Sequence, residues 1–311
     1  MMQADSRVYV AGHTGLIGSA LVRKLAQAGR DRLLLCTHAE LELTDARQVE
    51  AFFGSQRPEY VFLAAGRVGG IEANRTFPAD FICQNLAMQM NVMGSAMRHR
   101  TRRLLFLASA CAYPRDCPQP IRPEMLLSGP LEPTNEPFAV AKIAGIKMAQ
   151  AYNAQHGTDF LCAVPATAYG PNDHFDAGGH VIASLMARFH QAKTAGADCV
   201  EIWGTGRPRR EFIYVDDLAE ALILLMDQYD GQEIVHVGVG EDVAIADLAE
   251  RIRQVVGFEG KIVCDTSRPD GMPRRLLDSQ EIRQLGWRPR TPLQEGLART
   301  YQWYLQNGAG T

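Results

Sequence analysis

The 311 residues carry 32 Lys and Arg against 35 Asp and Glu, a formal charge of −3, and 46% of them are hydrophobic. Such a length buries a sizeable core without staples, and so even a balance gives no electrostatic ground for nucleic acid or an anionic membrane as partner. The seven scattered cysteines form no CxxC pair or Cys/His metal spacing, no basic-then-apolar leader opens the sequence, and no apolar run reaches membrane-spanning length. A soluble, cytoplasmic protein with reduced thiols and no metal is expected.

In chain order, Arg7–Ala11 predicts a buried strand, and 19–28 the helix that follows it. Leu33–Cys36 predicts a second strand, 49–54 part of a second helix, and Tyr60–Ala64 a third strand. A long helix over Phe81–His99 then leads into a strand at Leu104–Leu107. Continuous apolar strands joined by helices imply a parallel sheet covered on both faces, an α/β Rossmann-type doubly wound fold. From about Tyr169 the pattern loosens: Gly170–Asp173 and Ala177–Gly179 are loop signals, followed by a helix through Val181–Ala192. A strand end runs into a helix over Phe212–Asp227, and further helices are expected at Ile245–Val256 and Leu293–Gln306. The expected division is a dinucleotide-binding domain over 1–170 and a smaller α/β substrate domain over 171–311, with part of 212–240 returning to the first core.

Gly12, Gly15 and Gly18 follow the first strand directly and open a helix. Glycine permits the tight turn and lets backbone amides approach a pyrophosphate, while the helix N-terminus supplies positive potential. In this strand–turn–helix setting the spacing points to a dinucleotide. At the end of the second strand stand Cys36, Thr37 and His38, with Glu40 close behind and no arginine, so NADP and NAD both remain open.

Ser109 follows the strand ending at Leu107, where a side chain of an open parallel sheet points into the ligand crevice and can meet a substrate carbonyl. Cys111, two residues on, reads either as a proton-transfer thiol or as a small buried hydrophobe. His180 begins a helix after a glycine-rich loop and reads either as an acid or base partner or as a capping, solvated histidine. The arginines at 207, 209, 210, 274 and 275 are clustered in a way that suits a small anionic ligand.

The segment Pro133–Lys142 has the form of the Tyr-x-x-x-Lys element of short-chain dehydrogenases, with Phe138 where the tyrosine stands and Lys142 four residues on. Together with Ala11–His13, Val68–Ile71, Ile143–Lys147, Arg210–Phe212, Val215–Asp217, Pro269–Gly271 and Thr300–Trp303, it makes the chain resemble the GDP-L-fucose synthases from Val8 to near Gln306. That family belongs to the extended short-chain dehydrogenases. The resemblance implies a 3,5-epimerase and 4-reductase acting on a GDP-4-keto-deoxyhexose with NADP(H), NAD(H) not being excluded, and a homodimer built on helices Phe81–His99 and Lys142–Gln155.

Carried over by position, the resemblance implies a catalytic set of Ser109, Cys111, Phe138 (in place of tyrosine), Lys142 and His180. The cofactor would meet Gly12, His13, Thr14, Gly15, Leu16, Ile17 and Gly18 in the loop, then His38 and Leu43. Further along it would meet Ala64, Ala65, Leu107, Lys142, Pro165, Thr167, Ala168 and His180. Substrate contacts would fall on Arg188, Trp203, Arg210 and Asp270, with Arg275 where the family commonly has lysine. Departures gather on the cofactor side: Thr14 and His38 replace arginines, Pro165–Ala168 replaces Pro-Thr-Asn-Leu, and Ala110 replaces a second serine. With no phenol at 138, the reduction step is expected to be impaired, since a lost general acid costs ~10²–10⁴ in rate. A natural GDP-keto-sugar epimerase, a C4 reductase on a related GDP-hexose, and a non-catalytic nucleotide-sugar binder are the alternatives.

Overall fold

A computed structural model describes residues 1–176 and 179–308; the Ala177–Gly178 part of the expected loop lies outside the described residues. The chain opens with β1 (Val8–Ala11), α1 (Leu16–Gln27), β2 (Leu33–Leu34), α2 (Ala46–Gln56), β3 (Tyr60–Leu63), α3 (Ile71–Thr76) and α4 (Pro78–Arg98). It continues through β4 (Arg103–Leu107), α5 (Glu136–His156), β5 (Phe160–Pro165), β6 (Thr167–Tyr169), α6 (Val181–Ala195) and β7 (Cys199–Trp203). Next come β8 (Arg209–Arg210), β9 (Phe212–Tyr214), α7 (Val215–Gln228), β10 (Ile234–Val237) and β11 (Val243–Ala244). The last stretch holds α8 (Ile245–Val256), β12 (Lys261–Asp265), β13 (Arg274–Arg275), α9 (Gln280–Gln284) and α10 (Leu293–Asn307).

Six strands form one sheet in the order β10–β5–β4–β3–β1–β2, every pair parallel. All four residues of β1 and of β3 are buried, as strands covered by helices on both faces must be. Strand order reverses at β1, which has β2 on one side and β3 on the other, so a crevice opens there at the carboxyl ends. The second strand is shorter than expected: as an edge strand it meets β1 only through Leu33 and Leu34, and Cys36 has already left the ladder. β5 is an apolar run that periodicity alone does not separate from a buried helix, and only its pairing with β4 and β10 makes it a strand.

β10 lies in the large sheet, and α7 packs against α1, where Arg23 meets Asp216 and Lys24 meets Glu220, both at 2.7 Å. The helix behind the glycine loop is thereby fixed by a segment some two hundred residues away. A second apolar cluster joins α6, α8 and α10 to β7 and β9, around Phe189, Leu248, Ile252 and Leu297. It carries the parallel pair β7–β12 and the three-stranded sheet β11–β8–β13. These small sheets present their ends to the crevice of the large one.

Candidate active site

Between the two clusters lies a cleft of about 1420 Å³. Every predicted site residue lines it except His13, whose Nδ1 is buried without a hydrogen-bond partner. At its floor Gly12 has φ +82° and lies so close to β3's exit that an added Cβ would fall 2.8 Å from the Ala65 nitrogen. A Cβ on Gly18 would fall 2.0 Å from the Gly12 carbonyl oxygen. No side chain caps the first turn of α1, whose N-terminus opens on the cleft, so its amides stay available to an anion. At the end of β2, His38 is exposed and sits 3.0 Å from Glu42, while Glu40 is occupied by the Thr37 amide and hydroxyl at 2.8 Å.

Ser109 ends β4's exit and caps a short turn: its Oγ accepts from the Cys111 amide at 3.2 Å, which leaves the hydroxyl proton free to donate outward. Cys111 is half-buried and faces the cleft, which decides against the reading as a core hydrophobe. Two donors converge on its sulfur: Asn135 Nδ2 at 3.1 Å and Arg275 Nη1 at 3.5 Å. Phe138, on the first turn of α5, packs edge-on against Phe81 with centroids 6.3 Å apart. Lys142 Nζ is buried, donates to the Leu107 carbonyl at 2.8 Å, and lies 5.7 Å from the Phe138 ring centroid and 5.0 Å from that of Phe106. Burial pulls its pKa down to about 8, with Cys111 opposing that pull.

His180 occupies the N-cap position of α6, yet its side chain makes no capping bond. It turns instead to Asp173, with Nδ1 2.8 Å from Oδ1. Burial disfavours the imidazolium, but the Asp173 hydrogen bond and charge outweigh that and raise the His180 pKa.

The arginine clusters divide by strand alternation. β8 and β13 pair in register, Arg209 beside Arg274 and Arg210 beside Arg275, and successive side chains take opposite faces. Arg209 and Arg274 both meet Asp242 away from the cleft, whereas Arg210 and Arg275 line it. Burial and then the neighbouring Arg275 charge pull the Arg210 pKa down to about 10. Two such guanidiniums suit a diphosphate. Arg188 donates to the Glu201 carbonyl. Trp203 is 41% exposed and stacks under Arg268 at 4.9 Å, so it is no core tryptophan. Asp270 accepts from the Thr205 amide and hydroxyl at 2.7 and 2.9 Å, an approach that only a glycine at 204 leaves room for.

Two residues outside the sequence-based expectation complete the picture, Asn135 on Cys111 and Asp173 on His180. Asn135 sits within the Pro133–Lys142 segment and Asp173 closes the predicted loop at 170–173, but nothing local marks either as a partner.

The sequence model of the NAD dependent epimerase/dehydratase family matches residues 8–240. A GDP-L-fucose synthase 1 of Arabidopsis thaliana is 53% identical over 308 residues, covering 99% of this chain and 95% of that protein. The chain belongs to the GDP-L-fucose synthase family. The Escherichia coli GDP-L-fucose synthase is 47% identical over 316 residues, covering 98% of each. Among solved structures, a GDP-mannoheptose C4 reductase of Campylobacter jejuni with NADP bound superposes with a TM-score of 0.88 at 37% identity, over 98% of this chain and 100% of that one.

Proposed function

We propose that the chain is a GDP-4-keto-6-deoxy-D-mannose 3,5-epimerase and 4-reductase whose reduction step is slowed by Phe138. The observation that carries this reading is the convergence in one cleft of a donor-held thiol, an Asp-held imidazole and an outward serine hydroxyl, with the Arg210–Arg275 pair facing the same space. Arg210 and Arg275 would take the substrate diphosphate. Ser109 would donate to the 4-keto oxygen, which acidifies the neighbouring C–H bonds at C3 and C5. Cys111 and His180 would then remove and return protons there on opposite faces.

NADP(H) fits the glycine loop, whose tight turn depends on the close approach of Gly12 to Ala65 and of Gly18 to Gly12, and where no side chain caps the α1 amides. When bound, it supplies the hydride for C4. Lys142, with its ammonium at the far side of the same floor, would hold the nicotinamide ribose. Phe138 keeps the ring and its contact with Phe81 but brings no proton to the C4 oxygen. That absence favours a second reading, an epimerase without net reduction.

We further propose that residues 1–170 with part of 212–240 hold the cofactor and the remainder the sugar nucleotide. A homodimer through α4 and α5 accords with the exposed Met90 and Val140 on those helices, and a cytoplasmic location with the absence, among the described residues, of a helix able to cross a membrane. The test is incubation of GDP-4-keto-6-deoxy-mannose with the chain in deuterated water, with and without NADPH. Deuterium at C3 and C5 with slow reduction is expected; no binding and no exchange would sink the proposal.

A further inference from the structure

Asp173 belongs to no part of the chemistry assigned so far, yet its side chain is only 1% exposed, and a buried carboxylate is kept only when it is paired. Oδ1 accepts from the His174 amide at 2.9 Å and meets His180 Nδ1 at 2.8 Å; Oδ2 is buried with no hydrogen-bond partner. The imidazole is the basic side chain bonded to this carboxylate. His180 itself is 37% exposed and lines the cleft, so one end of the ring is held below while the other faces substrate and solvent.

We propose that Asp173 is a positioning residue that makes His180 the acid of the proton-transfer pair. The proposal rests on the epimerisation reading above. The buried Asp173 charge beside Nδ1 favours the protonated ring, and with Nδ1–H held on Oδ1 the other proton of that imidazolium sits on Nε2, the end away from Asp173. In the step itself the Nε2–H bond breaks, and the enolate electron pair forms the new C–H bond with that proton. The carbonyl reforms, and a neutral imidazole stays anchored to Asp173. Solvent at the cleft mouth then returns a proton to Nε2, so no oxidant or reductant is needed.

The thiol is presented differently. Its sulfur receives two donors and offers an acceptor to the substrate, so the two partners carry opposite tasks. A smaller cavity of about 280 Å³ behind His180 is lined by His174 and Asp176 from its own loop, and by the uncharged Val68, Gly69 and Ala73 from the α3 side. Among the described residues, Asp173 is bonded to the ring at 2.8 Å.

Asp173→Asn keeps the shape and the Oδ1 acceptor but removes the charge. Two readouts decide. Titration of His180 by NMR, assigned with His180→Gln, should show a lower midpoint in Asp173→Asn than in the unsubstituted chain. Deuterium incorporation into the keto sugar should fall off at a lower pH as well, and at a fixed pH above the midpoint it should be slower by about tenfold. In a His180→Gln background, Asp173→Asn should change exchange little further, since it acts through the histidine. If Asp173→Asn folds poorly, Asp173→Glu, which keeps the charge, should retain the high midpoint. An unmoved midpoint with a uniform loss of rate at every pH overturns the proposal and leaves Asp173 a loop anchor. A chain that incorporates no deuterium at any pH overturns the epimerisation reading and this inference together; exchange whose pH limb ignores Asp173→Asn overturns this inference alone.

Discussion

Restoring the phenol at position 138 is the sharpest perturbation the cleft offers. Phe138 is half-buried, lines the cleft, and its ring is already held by Phe81, so Phe138→Tyr adds one oxygen with no repacking of the core. Because the hydroxyl enters an open cleft, stability should change by no more than about 0.5 kcal/mol. The catalytic consequence is much larger. Lys142 lies 5.7 Å from the ring centroid and donates to the Leu107 carbonyl, so its ammonium can favour the phenolate left after proton donation. A positioned general acid is worth ~10²–10⁴ in rate, or about 3–5 kcal/mol of barrier. Oxidation of NADPH by the keto sugar should therefore accelerate by that factor, while deuterium incorporation at C3 and C5 stays within about twofold. Single-turnover traces, which separate the chemical step from product release, make the comparison clean. A tyrosine variant that binds both ligands and reduces no faster would refute the claim that a missing proton limits this chain.

Lys142→Met removes a buried ammonium whose pKa is about 8 in the fold against 10.5 outside it. The unsubstituted chain, when folded, binds fewer protons at this site than when unfolded between those values, so the Lys142 contribution to stability should rise with pH across that window and be constant below it. Relative to Lys142→Met, the unsubstituted chain should gain up to about 3 kcal/mol between pH 8 and 10.5, read from urea midpoints of both. Gly18→Ala would drive a Cβ to 2.0 Å from the Gly12 carbonyl oxygen, so the loop must shift. A loss of about 1–3 kcal/mol and of NADPH binding by calorimetry is expected. Asn135→Ala removes the nearer donor from the Cys111 sulfur and should slow solvent exchange by about tenfold, the worth of one hydrogen bond. Exchange at the unsubstituted rate would leave Asn135 without a part in the chemistry.

What the sequence could convey depended on how far each partner sits along the chain. The glycine loop was legible because its turn, its helix start and its strand are contiguous, and φ +82° at Gly12 is a local demand. The apolar strands β1 and β3 were legible for the same reason. The end of β2 was not, because an edge strand stops where its single neighbour stops pairing, and that is settled by Val8 and Tyr9. Clustering along the sequence offered five arginines to a small anionic ligand. Pairing of β8 with β13 and the capture of Arg209 and Arg274 by Asp242 reduce those on these two strands that face the cleft to Arg210 and Arg275. Asp173 and Asn135 carry no periodicity, and their roles exist only once a loop and a helix cap have been folded against His180 and Cys111.

The first turn of α5 ties the two half-reactions together physically. Asn135, its cap residue, holds the Cys111 sulfur; Phe138, three residues later, faces Lys142 and Phe81. A change at 138 that emptied the space beside Phe81 would loosen that turn and disturb the thiol as well. Phenylalanine fills the same volume, so the turn keeps its place and only the hydroxyl is gone. The lesion is selective because the ring remains. It acts on the proton bound for the C4 oxygen, while the thiol and imidazole are held by Asn135, Arg275 and Asp173, none of which depends on a phenol.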